Sequence, residues 1–233
     1  DYDGSGFDCG PEGPCSRLTI RRFIALGPRT GNNTAVDGFA VESGSDVIVE
    51  DCVSADHPGD GFDFKSSNTR LHRVIARNQA RDGIKLWGVN SSLVNGLVYG
   101  SGLSGLVLST GGSYTVTNSV IANSRMYGYT VYVGDGGEAT PIRFYNTIFY
   151  NDVPENGGTF IFFPSGVQYS GDHNIFYDPY RPDEVICWDH GTSQDCHGQI
   201  EINDGTWTAA SGGQDSHSRY ANPLFVHAAT GDF

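Results

Sequence analysis

Apolar residues in this chain fall in short alternating runs, not in helical stripes. Phe39 and Val41, Phe62 and Phe64, Ile84 and Leu86, Leu106 and Leu108, and Tyr129 and Val131 are each separated by a single residue. Alternation with period two marks a strand that buries one face. No stretch sustains the 3.6-residue apolar period of an amphipathic helix, so architectures that need helices between strands are excluded. The runs also recur. Asp37-Gly38-Phe39, Asp60-Gly61-Phe62, Asp82-Gly83-Ile84, Ser104-Gly105-Leu106 and Tyr127-Gly128-Tyr129 step by 23, 22, 22 and 23 residues. A repeat of that length marks a solenoid, whose coils bury their apolar faces only against one another. Parallel strands at 38–42, 61–65, 83–87, 105–109 and 128–132 are predicted to stack in one sheet.

A second phase of the repeat keeps the same register. Val49 to Val53, Leu71 to Ile75, Leu93 to Leu97, Val116 to Val120 and Phe144 to Ile148 align on centres 51, 73, 95, 118 and 146, and an earlier coil appears at Ile20 to Ile24. Five residues past each centre stand Asp56, Asn78, Gly100, Asn123 and Asn151, residue types that tolerate left-handed turns. Two strands per coil are expected, and the chain reads as an all-β, right-handed parallel β-helix of about six to seven coils. Residues 1–233 form one domain on this reading, cut or processed at both ends. Residues 152–166 are expected to be a loop carrying the insert Phe160-Ile161-Phe162-Phe163, and clear repeats fade from Asp178 onward.

Composition narrows the choice of partner. Lys and Arg number 14 against 27 Asp and Glu, a formal charge of −13, with no basic stripe, which argues against nucleic acid. No run of about 18 apolar residues suggests a membrane span. Cys9 with Cys15 and Cys187 with Cys196 are close pairs expected to form disulfides, while Cys52 sits at an apolar strand position and is expected to be a buried thiol. A secreted or extracytoplasmic location follows, since disulfides persist in oxidising compartments. The chain is expected to be a monomer.

Stacking turns repeated positions into columns. Asp37, Asp60 and Asp82 fall in one column, and parallel coils sit roughly 4.8 Å apart, so the carboxylates repel unless a cation or protonation relieves them. Alternation sends Asp63, Lys85, Lys65, Trp87, Thr130 and Tyr132 outward beside that column. Carboxylates suited to a hard cation and rings suited to stacking on sugars would share one face. As an outward lysine, Lys85 is expected to add little to stability.

The phrases Val36-Asp37-Gly38-Phe39-Ala40, Gly59-Asp60-Gly61-Phe62-Asp63 and Asp82-Gly83-Ile84-Lys85-Leu86 resemble, in order, three motifs of the family 9 polysaccharide lyases, calcium-dependent pectate lyases of β-helical fold. The resemblance is carried by residues 36–88. It implies Asp37, Asp60 and Asp63 as calcium ligands and Lys85 as the base of a β-elimination on a polyuronate such as pectate. Gly59 stands where the family has a further aspartate, so Asp82, Asp56 or water would complete the Ca2+ site. Lys65, Trp87, Arg77 and Arg81 are candidate substrate contacts. Two other classes stay open: a β-helical glycoside hydrolase using paired acids among Asp60, Asp63 and Asp82, and a non-catalytic carbohydrate-binding or adhesive β-helix, to which Tyr127, Tyr129 and Tyr132 would suit.

Overall fold

A computed structural model describes residues 5–10, 13–27, 36–125, 129–134, 138–154, 160–190 and 192–226. Among the described residues, three long sheets of nine, seven and eight strands, parallel except for the last pair of the first, stack along the molecule, and the chain visits them in turn, one strand of each per coil. The seven-stranded sheet gives seven such coils, at the upper end of the expected range.

The first sheet holds Phe39–Val41, Phe62–Phe64, Ile84–Leu86 and Leu106–Leu108 in register, with Phe39, Phe62, Ile84 and Leu106 directly above one another. All four side chains are fully buried, and the Phe39 and Phe62 rings stack with centroids 4.7 Å apart. The glycine before each strand is a consequence of coil spacing. A Cβ on Gly61 would lie 2.4 Å from the Gly83 carbonyl oxygen of the next coil, a contact that no side chain can make.

Three expectations are corrected. The second phase is two strands, not one, so each coil carries three. Ile48–Glu50 and Val53–Ala55 belong to different sheets because Asp51 between them turns the chain in left-handed conformation (φ 56°). Arg73, Asn95, Asn118 and Asn146 do the same in the following coils. The strand expected at 128–132 is instead Val131–Val133, the sixth of the first sheet, with Val131 beside Leu106. Repeat equivalence therefore pairs Tyr129, not Tyr127, with Ser104; Thr130 is fully buried instead of outward, and Tyr129 is only half-buried. Tyr127 and Gly128 lie outside the described residues. Finally, the Phe160–Phe163 insert is no loop: Ile161–Phe163 is a first-sheet strand paired to Val131–Val133, with Phe160, Ile161 and Phe163 in the core.

Both expected disulfides, Cys9–Cys15 and Cys187–Cys196, are present, and Cys52 is a buried free thiol. The pair Cys187–Cys196 ties Ile186–Asp189 to Gln194–His197, an antiparallel pair that ends the first sheet. Two short helices, Gln199–Asp204 and Thr206–Ala210, follow and deliver Trp207 into the core. Buried Asp215 accepts hydrogen bonds from Trp207 Nε1 and Tyr169 Oη, at 2.9 and 2.7 Å, which ties this C-terminal cap to the last coils.

Candidate functional site

The column that precedes the first-sheet strands reads Ser5, Asp37, Asp60, Asp82, Ser104 and Tyr129, each residue's carbonyl, apart from Ser5's, receiving the N–H of the glycine one coil back. Its carboxylates form a ladder. Asp37 Oδ1 accepts the backbone N–H of Asp60 at 2.6 Å, Asp60 Oδ1 that of Asp82 at 3.0 Å, and Asp82 Oδ1 that of Ser104 at 2.8 Å. One oxygen of each aspartate thus holds the next coil in place, and the other is available for different work. Burial pushes the Asp37 carboxyl up to about 7 and that of Asp82 up to about 6, with the Asp60 charge adding to both shifts. Carboxylates crowded in this way call for a cation.

Lys85 is the cation that the structure supplies. It sits beside Asp63 in register, its Nζ 2.9 Å from Asp60 Oδ2 and 3.3 Å from Asp63 Oδ2, and 5.0 Å from the centre of the Trp87 ring. Its side chain is 13% exposed and those of Asp60 and Asp63 are 4% and 6% exposed. The face expected to be open is therefore largely enclosed here, and the expectation that Lys85 adds little to stability is corrected: it neutralises two buried acids. Burial pulls the Lys85 pKa down, but Asp60 and Asp63 overrule this and hold the ammonium above the ordinary lysine value. Burial also raises the Asp63 carboxyl, against the pull of Lys85. Lys65 bonds Glu42 and lies 3.5 Å from Asp63, forming a second, more exposed layer.

An open groove runs beside this bank. Arg81, Asp82, Lys85, Trp87, Tyr129 and Tyr132 line it, on a floor that includes Leu103 and Val107. Trp87 is half exposed, and Tyr129 and Tyr132 stack with centroids 4.9 Å apart. The Phe162 ring stacks on Tyr132 and lies tilted against Tyr129; the apolar insert hid it as a site neighbour, although alternation around Ile161 could have found it. Arg81 Nε lies 3.6 Å from Asp60 Oδ1. Arg77 lies elsewhere, on Ile75–Arg77 of the third sheet, between Ala55 and Tyr99.

The donors suit a hard cation in type, since Asp37, Asp60 and Asp63 offer carboxylate oxygens and Asp63 Oδ1 is buried with no hydrogen-bond partner. They are not drawn tightly together: no three donor atoms here lie within 4.8 Å of one another, and Lys85 stands between Asp60 and Asp63. Gly59 has no room for the aspartate of the lyase pattern. A Cβ there would lie 2.3 Å from Asp37 Oδ1 and 2.7 Å from the Val36 carbonyl oxygen.

The sequence matches the family model of the right handed β-helix region over residues 29–178. No curated protein and no solved structure matches the chain.

Proposed function

We propose, from the premise that this chain belongs to the right-handed β-helix family, that it is an extracytoplasmic polysaccharide lyase acting on a polyuronate such as pectate. One observation supports the reading: Lys85 lines an open groove together with an arginine and three aromatic rings, and its nitrogen is held by a bank of carboxylates. The family's fold is common to lyases and hydrolases, and the two disulfides suit an oxidising compartment.

In this reading Trp87, Tyr129 and Tyr132 pack against sugar faces, and Arg81 offers its guanidinium to a uronate carboxylate. Lys85, as the free amine, removes the proton at C5. The C5–H electrons form the C4–C5 double bond, the C4–O4 bond breaks, and the leaving oxygen takes a proton from solvent. Asp37, Asp60 and Asp63 would hold calcium, with Asp82 at the next rung of the ladder; a bound calcium would neutralise these acids and polarise the uronate carboxylate as a Lewis acid. Because Asp60 and Asp63 stabilise the ammonium, Lys85 reaches its free-base form at alkaline pH, or once those acids are neutralised.

The test is absorbance of unsaturated uronate on pectate, alginate and neutral glycans, with calcium and with chelator. Product from a polyuronate, rising toward alkaline pH, is expected. Saturated reducing ends without that absorbance would assign hydrolysis by paired acids, and binding without cleavage would assign a carbohydrate-binding β-helix.

A further inference from the structure

A second group of chemistry-bearing side chains lies where the C-terminal cap meets the last complete coil. Asp172 ends the strand Val167–Asp172, His173 follows it in left-handed conformation (φ 58°), and His217 comes from the segment just before Arg219–Tyr220. His173 continues the column of left-handed residues that includes Asn118 and Asn146, so its backbone is set by the repeat.

The carboxylate of Asp172 is oriented by the backbone. Its Oδ1 accepts the N–H of His173 at 2.9 Å and that of His217 at 2.8 Å. Its Oδ2 is then turned to the two imidazoles, 2.7 Å from His217 Nδ1 and 3.8 Å from His173 Nε2. The rings stack with centroids 4.9 Å apart and planes 11° apart. One donor atom from each of the three residues lies within 4.8 Å of the other two, and no other trio of His, Cys, Asp or Glu among the described residues does this.

Small shifts of these side chains would bring the donors to the spacing of a small transition-metal site, with the metal replacing the proton shared by His217 Nδ1 and Asp172 Oδ2. A tetrahedral zinc holds nitrogen and oxygen ligands at about 2.0–2.1 Å, which puts neighbouring donors about 3.3–3.4 Å apart, and the observed 2.7 and 3.8 Å bracket that spacing. Two imidazoles with one carboxylate suit zinc, copper or nickel more than calcium. Backbone donors on the non-ligating oxygen are the outer-shell support that fixes a metal-binding carboxylate. The histidine side chains are 59% and 65% exposed, so metal can enter and water can complete the coordination.

We propose that Asp172, His173 and His217 bind one divalent transition-metal ion of the zinc class, and that the ion clamps the C-terminal cap to the last coil. It joins residues 45 apart in sequence and sits apart from the polysaccharide groove.

Zinc chloride titrated into the whole chain by calorimetry, with cobalt(II) visible spectra as a second probe, tests this. Wild type is expected to take up one equivalent and to melt at a higher temperature with zinc. His217→Ala and His173→Asn, the latter chosen because asparagine tolerates the left-handed backbone, should each weaken binding at least tenfold and lose the thermal gain. Circular dichroism without metal verifies that both variants are folded. No zinc uptake by wild type, or uptake undiminished in both folded variants, overturns the proposal.

Discussion

At the scale of single residues, Lys85 has two duties that pull in opposite directions. It is the only basic group set between Asp60 and Asp63 among the described residues, and it is the proposed base. Removing one partner of a buried charge pair costs about 3–5 kcal/mol. Lys85→Ala is expected to lose at least a good part of that, with the larger drop in melting temperature at pH 8 than at pH 5, since burial already raises the Asp63 carboxyl and loss of the ammonium raises it further. Equal melting temperatures for variant and wild type at both values would show the ion pairs to be idle. Asp37 and Asp82 give a second pH signature. Their folded pKa values, about 7 and about 6, lie above the ordinary 3.8, so the native state holds more protons than the unfolded chain in between. Stability contributed by these groups is then complete at low pH and declines as pH rises from about 4 to 7, with a slope approaching 1.4 kcal/mol per pH unit for each. Asp37→Asn keeps the oxygen that accepts the Asp60 N–H but cannot ionise. In chelator, melts from pH 4 to 8 should show a flatter profile for this variant; an unchanged slope would mean that Asp37 does not titrate in that window. The aspartate column was legible from spacing alone, because residues 22 or 23 apart must stack. The inward reach of Lys85 was not, since its flexible stem permits either solvent or the carboxylates and only the enclosed geometry chooses.

At the scale of elements, the repeat predicted the second to fifth strands of the first sheet and their register, but neither its first strand, Phe7–Cys9, nor the third strand of each coil. Asp51 and Arg73 carry no turn signal of the glycine or proline kind, yet both take positive φ, so one apparent strand is bent into two. The fifth repeated phrase slipped by two residues because Tyr127-Gly128-Tyr129 imitates it, whereas burial of Thr130, Val131 and Val133 sets the true register. Coil spacing makes a direct prediction. Gly61→Ala puts a methyl group 2.4 Å from the Gly83 carbonyl oxygen and should destabilise by more than about 2 kcal/mol. Gly13→Ala meets nothing within 4 Å and should be neutral. Chemical denaturation of both variants checks this, and a neutral Gly61→Ala would refute the tight inter-coil contact.

At the scale of the whole molecule, stability passes from coil to coil and the ends are the weak points. The Cys187–Cys196 link closes the hairpin that ends the first sheet. Replacing both cysteines by serine should cost about 2–3 kcal/mol on loop-closure grounds, read as earlier hydrogen exchange in the cap with the β-sheet circular dichroism retained. Loss of the entire β signal would instead make the cap a condition for folding. The cap itself was not legible, since its helices and the Asp215 network follow no repeat. With a net charge of −13, the polyuronate of the proposed reading would have to reach Arg81 and Lys85 against an overall repulsion. The most direct test of the account is the rate of unsaturated product formation from pectate by wild type and Lys85→Gln, side by side, in calcium at alkaline pH and at a temperature where both are folded. The account predicts steady product from wild type and a loss of about 10²-fold or more in the variant; equal rates, or no unsaturated product from wild type on any polyuronate, would contradict it.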